Sequence, residues 1–156
     1  MTHIKNFCNR HVVHIHAEAS VLEAAHLMRE EHVGDVVVVE SEHGTLRPVG
    51  MLTDRDIVTL IVGEDIAPES VRVEDVMARH PKVINQFDEI LTAIERMSEA
   101  GVRRLPIVDE RGSLVGIVTA DDLQQILARL QNALASISSR QIAHEMTGAT
   151  LANRFS

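Results

Sequence analysis

Aromatic residues are nearly missing from this chain: of 156 residues three are Phe, and none is Trp or Tyr. Any core must therefore be built from Val, Ile, Leu, Ala and Met, and at 45% apolar residues there are enough of them. Aliphatic, β-branched packing of this kind suits mixed helix and sheet layers. Cysteine occurs once, at Cys8, which excludes an internal disulfide and points to a reducing, cytoplasmic setting. Cys8 itself reads as a small apolar residue on a short turn or helix, a reactive or metal-bound thiolate being the other reading. Basic residues are outnumbered, 15 against 23 acids, and the net charge of −8 argues against general nucleic-acid binding, which needs a basic face. A local basic spot can still hold one small anion. Long apolar runs are missing as well. Residues 36–39 form one of the longest, far too short for a bilayer. Residues 1–10 are polar and lack the apolar stretch of a signal peptide. Neither a Gly-x-Ser-x-Gly elbow nor a P-loop occurs, so nucleophilic hydrolysis and P-loop chemistry find no support, and no catalytic residue is expected.

What the chain does contain is an internal repeat. At a spacing of 69 positions Arg10-His11 meets Arg79-His80, and Ile15, Leu22, Ala24 and Met28 meet Ile84, Leu91, Ala93 and Met97. Glu30, Val33 and Val39 meet Glu99, Val102 and Val108 in the same register. After three extra residues in the first copy the register resumes at 66: Val49-Gly50, Thr53 and Asp56 meet Val115-Gly116, Thr119 and Asp122. The chain is a duplicated unit.

Each copy reads as β-α-β-β-α. Residues 12–16 and 82–85 are short β-type runs. Ser20 with Glu23 forms a capping-box signature ahead of Val21, Leu22, Ala25 and Met28 at helical spacing. In the second copy Asp88 is the expected N-cap, Ile90, Leu91, Ile94 and Met97 form the apolar face, and Gly101 ends the helix. Runs 36–39 and 105–108 fit strands covered on both faces. Glu110-Arg111-Gly112-Ser113 has hairpin chemistry, and residues 41–48 read as a longer version of that turn. Strands at 49–52 and 114–118 then lead into closing helices. Neither copy alone could bury both faces of its strands, so two tandem repeats packed sheet to sheet, related by a pseudo-two-fold, are expected, an α/β (α+β) fold. The expected divisions are repeat one at 1–64, a linker at 65–72 that overlaps the charged stretch 63–70, repeat two at 73–130, and a C-terminal helical tail at 131–156. Residues 73–77 read as a helical turn leading into repeat two. In the tail Leu123, Ile126, Leu127, Leu130 and Leu134 keep helical spacing; residues 136–140 weaken the helix, and the last few residues fray. The stripe either meets a partner chain or folds back on its own domain.

Chemistry concentrates in the turns Gly50-Met51-Leu52-Thr53-Asp54-Arg55-Asp56 and Gly116-Ile117-Val118-Thr119-Ala120-Asp121-Asp122. Each sets a hydroxyl and a carboxylate three residues apart where a strand becomes a helix, a place whose unpaired N–H groups favour anions. The Thr hydroxyl can donate to a phosphate oxygen, and the Asp can accept from two vicinal ribose hydroxyls. Ordinary capping, with Thr as N-cap and Asp at N3, explains the same residues. His11, His14 and His16 lie close in sequence, and His14 and His16 share a strand face, but a metal site needs three or four ligands and no convincing partner accompanies them beyond Cys8 and His11. Surface histidines on an edge strand are the preferred reading, and no metal site is expected.

Both copies resemble CBS domains, whose signature is a strand ending in Gly-hydrophobic-hydrophobic-Thr/Ser-x-x-Asp before the last helix. The second copy's Val102-Arg103-Arg104-Leu105-Pro106-Ile107-Val108-Asp109 is similar to the family's Arg-hydrophobic-Pro-hydrophobic-hydrophobic-Asp strand. Thr53-Asp54-Arg55-Asp56-Ile57 matches a pattern frequent in small bacterial CBS pairs. The resemblance spans residues 8 to 130 and leaves the tail uncovered. It implies a non-catalytic regulatory module that binds adenosine-containing ligands (AMP, ADP, ATP, S-adenosylmethionine or NAD) in clefts between the repeats, and that forms a homodimer and acts on an effector protein. It further implies that Asp56 and Asp122 bind ribose, Thr53 and Thr119 sit near ribose or phosphate, and Arg103 and Arg104 contact phosphate. Val83, Ile84, Leu105 and Pro106 would hold adenine. The first copy departs from the pattern: Gly34-Asp35-Val36-Val37 stands where the second has Arg103-Arg104-Leu105-Pro106, so unequal clefts are expected, with Arg55 either compensating or merely exposed. Arg103 and Arg104 can alternatively be read as a strand-entry pair facing Asp109 and Glu110. A structural homodimer with degenerate clefts is the alternative function.

Overall fold

A computed structural model describes residues 3–152. The chain divides into two compact units, residues 1–120 and residues 121–156. The first holds two sheets, of strand order β1-β2-β3-β4 and β5-β6-β7. In the first sheet β1 (His14–His16) runs parallel to β2 (Asp35–Glu42), and β3 (Thr45–Thr53) pairs antiparallel with both β2 and β4 (Ala78–Arg79). In the second β5 (Ile84–Asn85) is parallel to β6 (Arg104–Val108), which is antiparallel to β7 (Leu114–Thr119). Both antiparallel pairs shift register at matching places, Val38/Val39 and Ile107/Val108, as duplicated strands should.

Helices cover the outer faces. α1 (Val21–Glu31) starts in a complete capping box: Glu23 N–H donates to Ser20 Oγ, and Ser20 N–H donates to the Glu23 carboxylate. Two hydrogen bonds from Ser20, the backbone one first, hold the Glu23 carboxyl below its usual range. α1 ends at His32 with φ 54°, where α4 (Ile90–Ala100) ends at Gly101 with φ 64°. Along β2 all of Val36, Val37, Val38 and Val39 are buried. Val36 and Val38 join Val21, Ala24 and Met28 of α1 and Leu52 of β3 in one apolar cluster. Val37 and Val39 must face the opposite way, and β3 lies against β7 on that side. The sheets therefore pack face to face between outer helices.

The leading arms cross. α3 (Val73–Val76) docks on repeat one, its Val73 and Glu74 N–H groups donating to Ala19 O and Ala17 O. A 3-10 turn at Ile4–Asn6 docks on repeat two, with Ile4 and Lys5 N–H donating to Asp88 O and Gln86 O. These are equivalent bonds at the 69-residue spacing. Ala78 pairs with Met51, and Asn9 bridges to Ile117. Each repeat thus completes the other's sheet, and the helical turn at 73–77, which leads into repeat two in sequence, makes its contacts on repeat one. Val73 supplies the reason, being fully buried in the first repeat's apolar cluster.

Four further details differ from expectation. Asp88 is not the N-cap of α4; Glu89 takes that position without a side-chain bond, because Asp88 turns back to accept from Asn85 N–H at 3.2 Å and to pair with Arg96 at 3.4 Å. The segment 41–48 is no long loop: β2 and β3 extend to a two-residue turn, His43 and Gly44, at φ 50° and 77°. Two successive positive φ values match the twist of a tight hairpin. After Thr53 the closing helix is four residues, α2 (Asp54–Ile57), followed by a π-helical turn at Val58–Val62 that carries Ile61 into the core. Finally, residues 136–140 do not interrupt α5 (Ala120–Ala152); Ser136 and Ser139 return their hydroxyls to Ala133 O and Ala135 O and so leave the helix intact. The expected fraying of the last residues falls outside the described residues. No helix among the described residues is long and apolar enough to cross a membrane.

Candidate functional site

The first motif turn is built by its own chain chemistry. β3 ends at Thr53 and α2 begins at Asp54. Asp56 N–H donates to Thr53 Oγ1 at 3.1 Å, and Thr53 N–H donates to Asp56 Oδ2 at 3.0 Å. This reciprocal lock is the capping arrangement, and it fixes the Asp56 carboxylate in one orientation with its other oxygen uncommitted to that bond. Capping and ligand binding are compatible here. Asp54 N–H donates to Gly34 O, and Ala120 N–H donates to Arg103 O, tying both strand ends to the residue before β2 or β6 in matching fashion. In the second motif Thr119 closes β7, and Asp122 lies in the first turn of α5.

Each motif glycine makes room for the crossing arm. A Cβ on Gly50 would come within 2.9 Å of Ala78 O and overlap Met77 Sδ. On Gly116 it would meet Cys8 Sγ at 3.0 Å and Asn9 O at 3.2 Å. Cys8 is thus the counterpart of Met77, a half-buried side chain packed against the motif strand. The glycines are needed because a backbone passes directly over them.

Arg104 and Asp35 occupy equivalent positions of the two repeats, and they meet. Arg104 Nε lies 2.7 Å from Asp35 Oδ2, and its Nη1 donates to Oδ1 at 2.8 Å, a two-point ion pair. Equivalent residues in contact must lie at the pseudo-two-fold axis. Two arginines there would repel, so the first copy's departure from the motif is what allows this contact. Burial pushes the Asp35 carboxyl above its ordinary value; Arg104 opposes the shift, and the neighbouring Asp54 adds to it. Neither Asp109 nor Glu110 is Arg104's ion-pair partner; Asp109 instead accepts from Arg111 and Ser113 N–H in the hairpin turn.

The remaining expected residues separate by burial. Ile84 and Leu105 are fully buried, so only their backbones can face a ligand, and Pro106 is buried too. Val83 is half-buried and lines a cleft of about 650 Å³ between the sheets, which Thr53, Asp56, Arg103, Arg104, Thr119 and Asp122 do not line. That volume is within the ordinary range for small-molecule sites. Its walls include Met77, Pro48 and Pro81, with Arg47, Arg79 and His80 supplying basic groups. The sequence reading singled out Arg79-His80 only as a repeat match, which was the one signal they gave. Arg55 and Arg103 are exposed. His14 and His16 stand exposed on edge strand β1, and among the described residues no three His, Cys, Asp or Glu side chains group to hold a metal ion.

Comparison with known proteins agrees with this architecture. The CBS domain family model matches residues 4–63 and 73–129, beginning both times at a crossing arm. A CBS domain-containing protein of Bacillus subtilis, YhcV, is 34% identical over 147 residues, covering 93% of this chain and 98% of its own length. An uncharacterized Methanopyrus kandleri protein is 36% identical over 107 residues, covering 69% of this chain; the match spans only 53% of that relative. Among solved structures, a CBS domain protein of Pyrobaculum aerophilum complexed with AMP superposes with a TM-score of 0.70 at 23% identity, covering 83% of this chain and 98% of its own. The CBS domain pair of protein MJ0100, in complex with 5-methylthioadenosine and S-adenosyl-L-methionine, gives 0.66 at 24% identity, covering 81% and 99%.

Proposed function

The chain belongs to the CBS-domain family, and from that premise we propose that it is a non-catalytic sensor of adenosine-containing ligands whose occupancy alters the packing between its repeats or against a partner. The observation that supports this reading is the pair of Thr-x-x-Asp turns at equivalent strand ends, the first locked by reciprocal bonds between Thr53 and Asp56; the cleft of about 650 Å³ between the two sheets has Val83 on its wall, with Glu40 beside the basic groups of Arg47, Arg79 and His80. Structural relatives supply the ligand class: one binds AMP, another 5-methylthioadenosine and S-adenosyl-L-methionine. Their shared part is adenosine, and they differ in charge.

In this reading Asp56 and Asp122 accept from ribose hydroxyls, Thr53 and Thr119 donate nearby, and Val83, with the backbones of Ile84, Leu105 and Pro106, flanks adenine. Arg103 and Arg104 serve phosphate on the second copy's side, whereas Gly34 and Asp35 offer nothing basic on the first, where Arg55 is the nearest candidate in sequence. The two clefts then prefer ligands of different charge. A phosphate recruits Arg104 only by drawing it from Asp35, which links occupancy to the contact between repeats. Such coupling requires that ligand favour one arrangement over the other.

The test is a thermal-shift titration of AMP, ADP, ATP, S-adenosylmethionine and NAD against wild type and Asp122→Ala. A ligand of the native state raises Tm as RT ln(1 + [L]/Kd). The reading expects a shift with at least one of the five that disappears in Asp122→Ala. No shift at millimolar concentration with any of them overturns it in favour of a structural homodimer with degenerate clefts.

A further inference from the structure

α5 is 33 residues long, about 50 Å at 1.5 Å per residue. Its apolar residues Leu123, Leu127, Leu130, Leu134 and Ile137 recur at alternating intervals of four and three, the heptad spacing of a coiled-coil seam. Leu130, Leu134 and Ile137 are 58%, 66% and 61% exposed. The seam continues through Gln141 and His144, while Ile142 and Met146 project from other faces.

We propose that α5 pairs with α5 of a second copy of this chain, parallel and in register, along the seam from Leu127 to His144. Three features select this occupant and this direction. With Leu127 and Leu134 at a and Leu130 and Ile137 at d, each layer in a parallel pair places like on like, and the apolar layers all match. Gln141 falls at a, where in-register pairing sets amide against amide. The antiparallel arrangement that keeps Leu127 on Ile137 instead sets Gln141 on Leu123 and leaves the amide without a polar partner. The third feature is charge. Flanking the seam, positions e and g from Gln124 to Thr147 carry just two charged side chains, Arg140 at g and Glu145 at e of the next heptad. Parallel strands bring a g residue against the e residue five positions on in the other strand. Arg140 therefore meets the partner's Glu145, twice by symmetry. Antiparallel pairing sets g against g and e against e, and opposes both charges to neutral residues. Glu145 already accepts from Gln141 Nε2 at 3.1 Å within its own helix, which holds the carboxylate beside the seam.

Cysteine scanning tests this in the full chain with Cys8→Ser, so that the added thiol is the single one present. Gln141→Cys, at the seam, is expected to oxidise to a covalent dimer, and Ser136→Cys, equally exposed but on the outer face, is not. In the Gln141→Cys background Arg140→Glu sets like charges opposite each other and slows dimer formation about fivefold, and adding Glu145→Arg restores the rate. All four positions lie on the exposed part of α5, so folding is not at stake. Absence of a Gln141→Cys dimer, equal yields from Ser136→Cys, or no recovery in the charge-swapped double variant overturns the proposal. Because the assay contains no nucleotide, its outcome is independent of the ligand reading.

Discussion

The Asp35–Arg104 pair makes a prediction whose sign depends on which partner is removed. Asp35's side chain is 14% exposed and Arg104's 42%. Removing Arg104 therefore strands a mostly buried carboxylate, already held above its ordinary pKa by burial and by Asp54. Removing the carboxylate's charge merely releases a guanidinium that water can reach. An unpaired buried polar or charged group costs about 1–3 kcal/mol, and breaking a fully buried pair costs more; Arg104's exposure places this case at the lower end. Arg104→Met, which keeps the aliphatic stem, is expected to lose about 1–2 kcal/mol, or roughly 2–8 °C in Tm for a domain of this size. Asp35→Asn retains one acceptor oxygen, sheds the desolvation penalty, and is expected to change stability by less than about 0.5 kcal/mol at neutral pH. The pH dependence has a definite sign. The folded protein holds Asp35's proton more tightly than the unfolded chain does, so ionisation of this group disfavours the fold, and its contribution falls as pH rises from the ordinary carboxylate value through the raised one. Asp35→Asn should flatten that part of the curve. Urea unfolding followed by far-UV circular dichroism is the assay, since a chain without Trp or Tyr has no useful intrinsic fluorescence. Equal losses from the two substitutions, or a larger loss from Asp35→Asn, would refute the reasoning.

The crossing arms make two further predictions. Gly50→Ala should destabilise by about 1–3 kcal/mol, because the added methyl meets backbone at Ala78 O as well as Met77. Gly116→Ala meets its nearest atoms at 3.0–3.2 Å and should cost less; urea midpoints of the two variants rank them, and the reverse order counts against the packing described. Ile4, fully buried though near the chain start, should cost about 2–4 kcal/mol on change to Ala. Hydrogen exchange should then show the lost protection first around β5 and α4, and loss first in β1 and α1 would contradict the crossed docking.

Much of this structure was legible because its signals are local. The capping box of Ser20 and Glu23, the apolar run of β2 and the glycine stop of α4 are each decided within a few residues, and the run occurs in both copies. What escaped was decided by distance or by an unusual residue. His43 adopts a positive φ that a sequence reader grants to Gly or Asn, so a two-residue hairpin looked like an eight-residue loop. The serines of 136–140 looked like a helix break because their back-bonding to carbonyls cannot be seen in composition. The motif turns were legible as chemistry, yet Thr53 and Asp56 alone could not separate capping from binding, and their lock shows why: one pair of side chains serves the cap and leaves acceptor capacity over. Asp35 was read as the first copy's departure from the motif, which makes the clefts unequal. Its true partner is the residue 69 positions on, the repeat spacing itself, so the signal was present: opposite charges at equivalent positions of a two-fold unit are candidates to meet on the axis.

That same spacing explains why the two repeats form one object. Ile4 and Val73 are equivalent, and each is fully buried, with its backbone bonded to the opposite repeat. Separating the repeats would expose both, along with the edges that Asn9 and Ala78 now cover. A repeat therefore cannot relax by itself. If a ligand shifts Arg104, the change acts on Asp35 of the other repeat and through Asp54 N–H on Gly34, the residue beside it. β2 and β3 are joined at that point by the Asp35–Thr53 pair, so the disturbance arrives at the first motif's own capping turn. Under the proposed reading the two clefts communicate through four residues, Arg104, Asp35, Thr53 and Asp56, of which the first pair exists because the copies differ and the second because they do not.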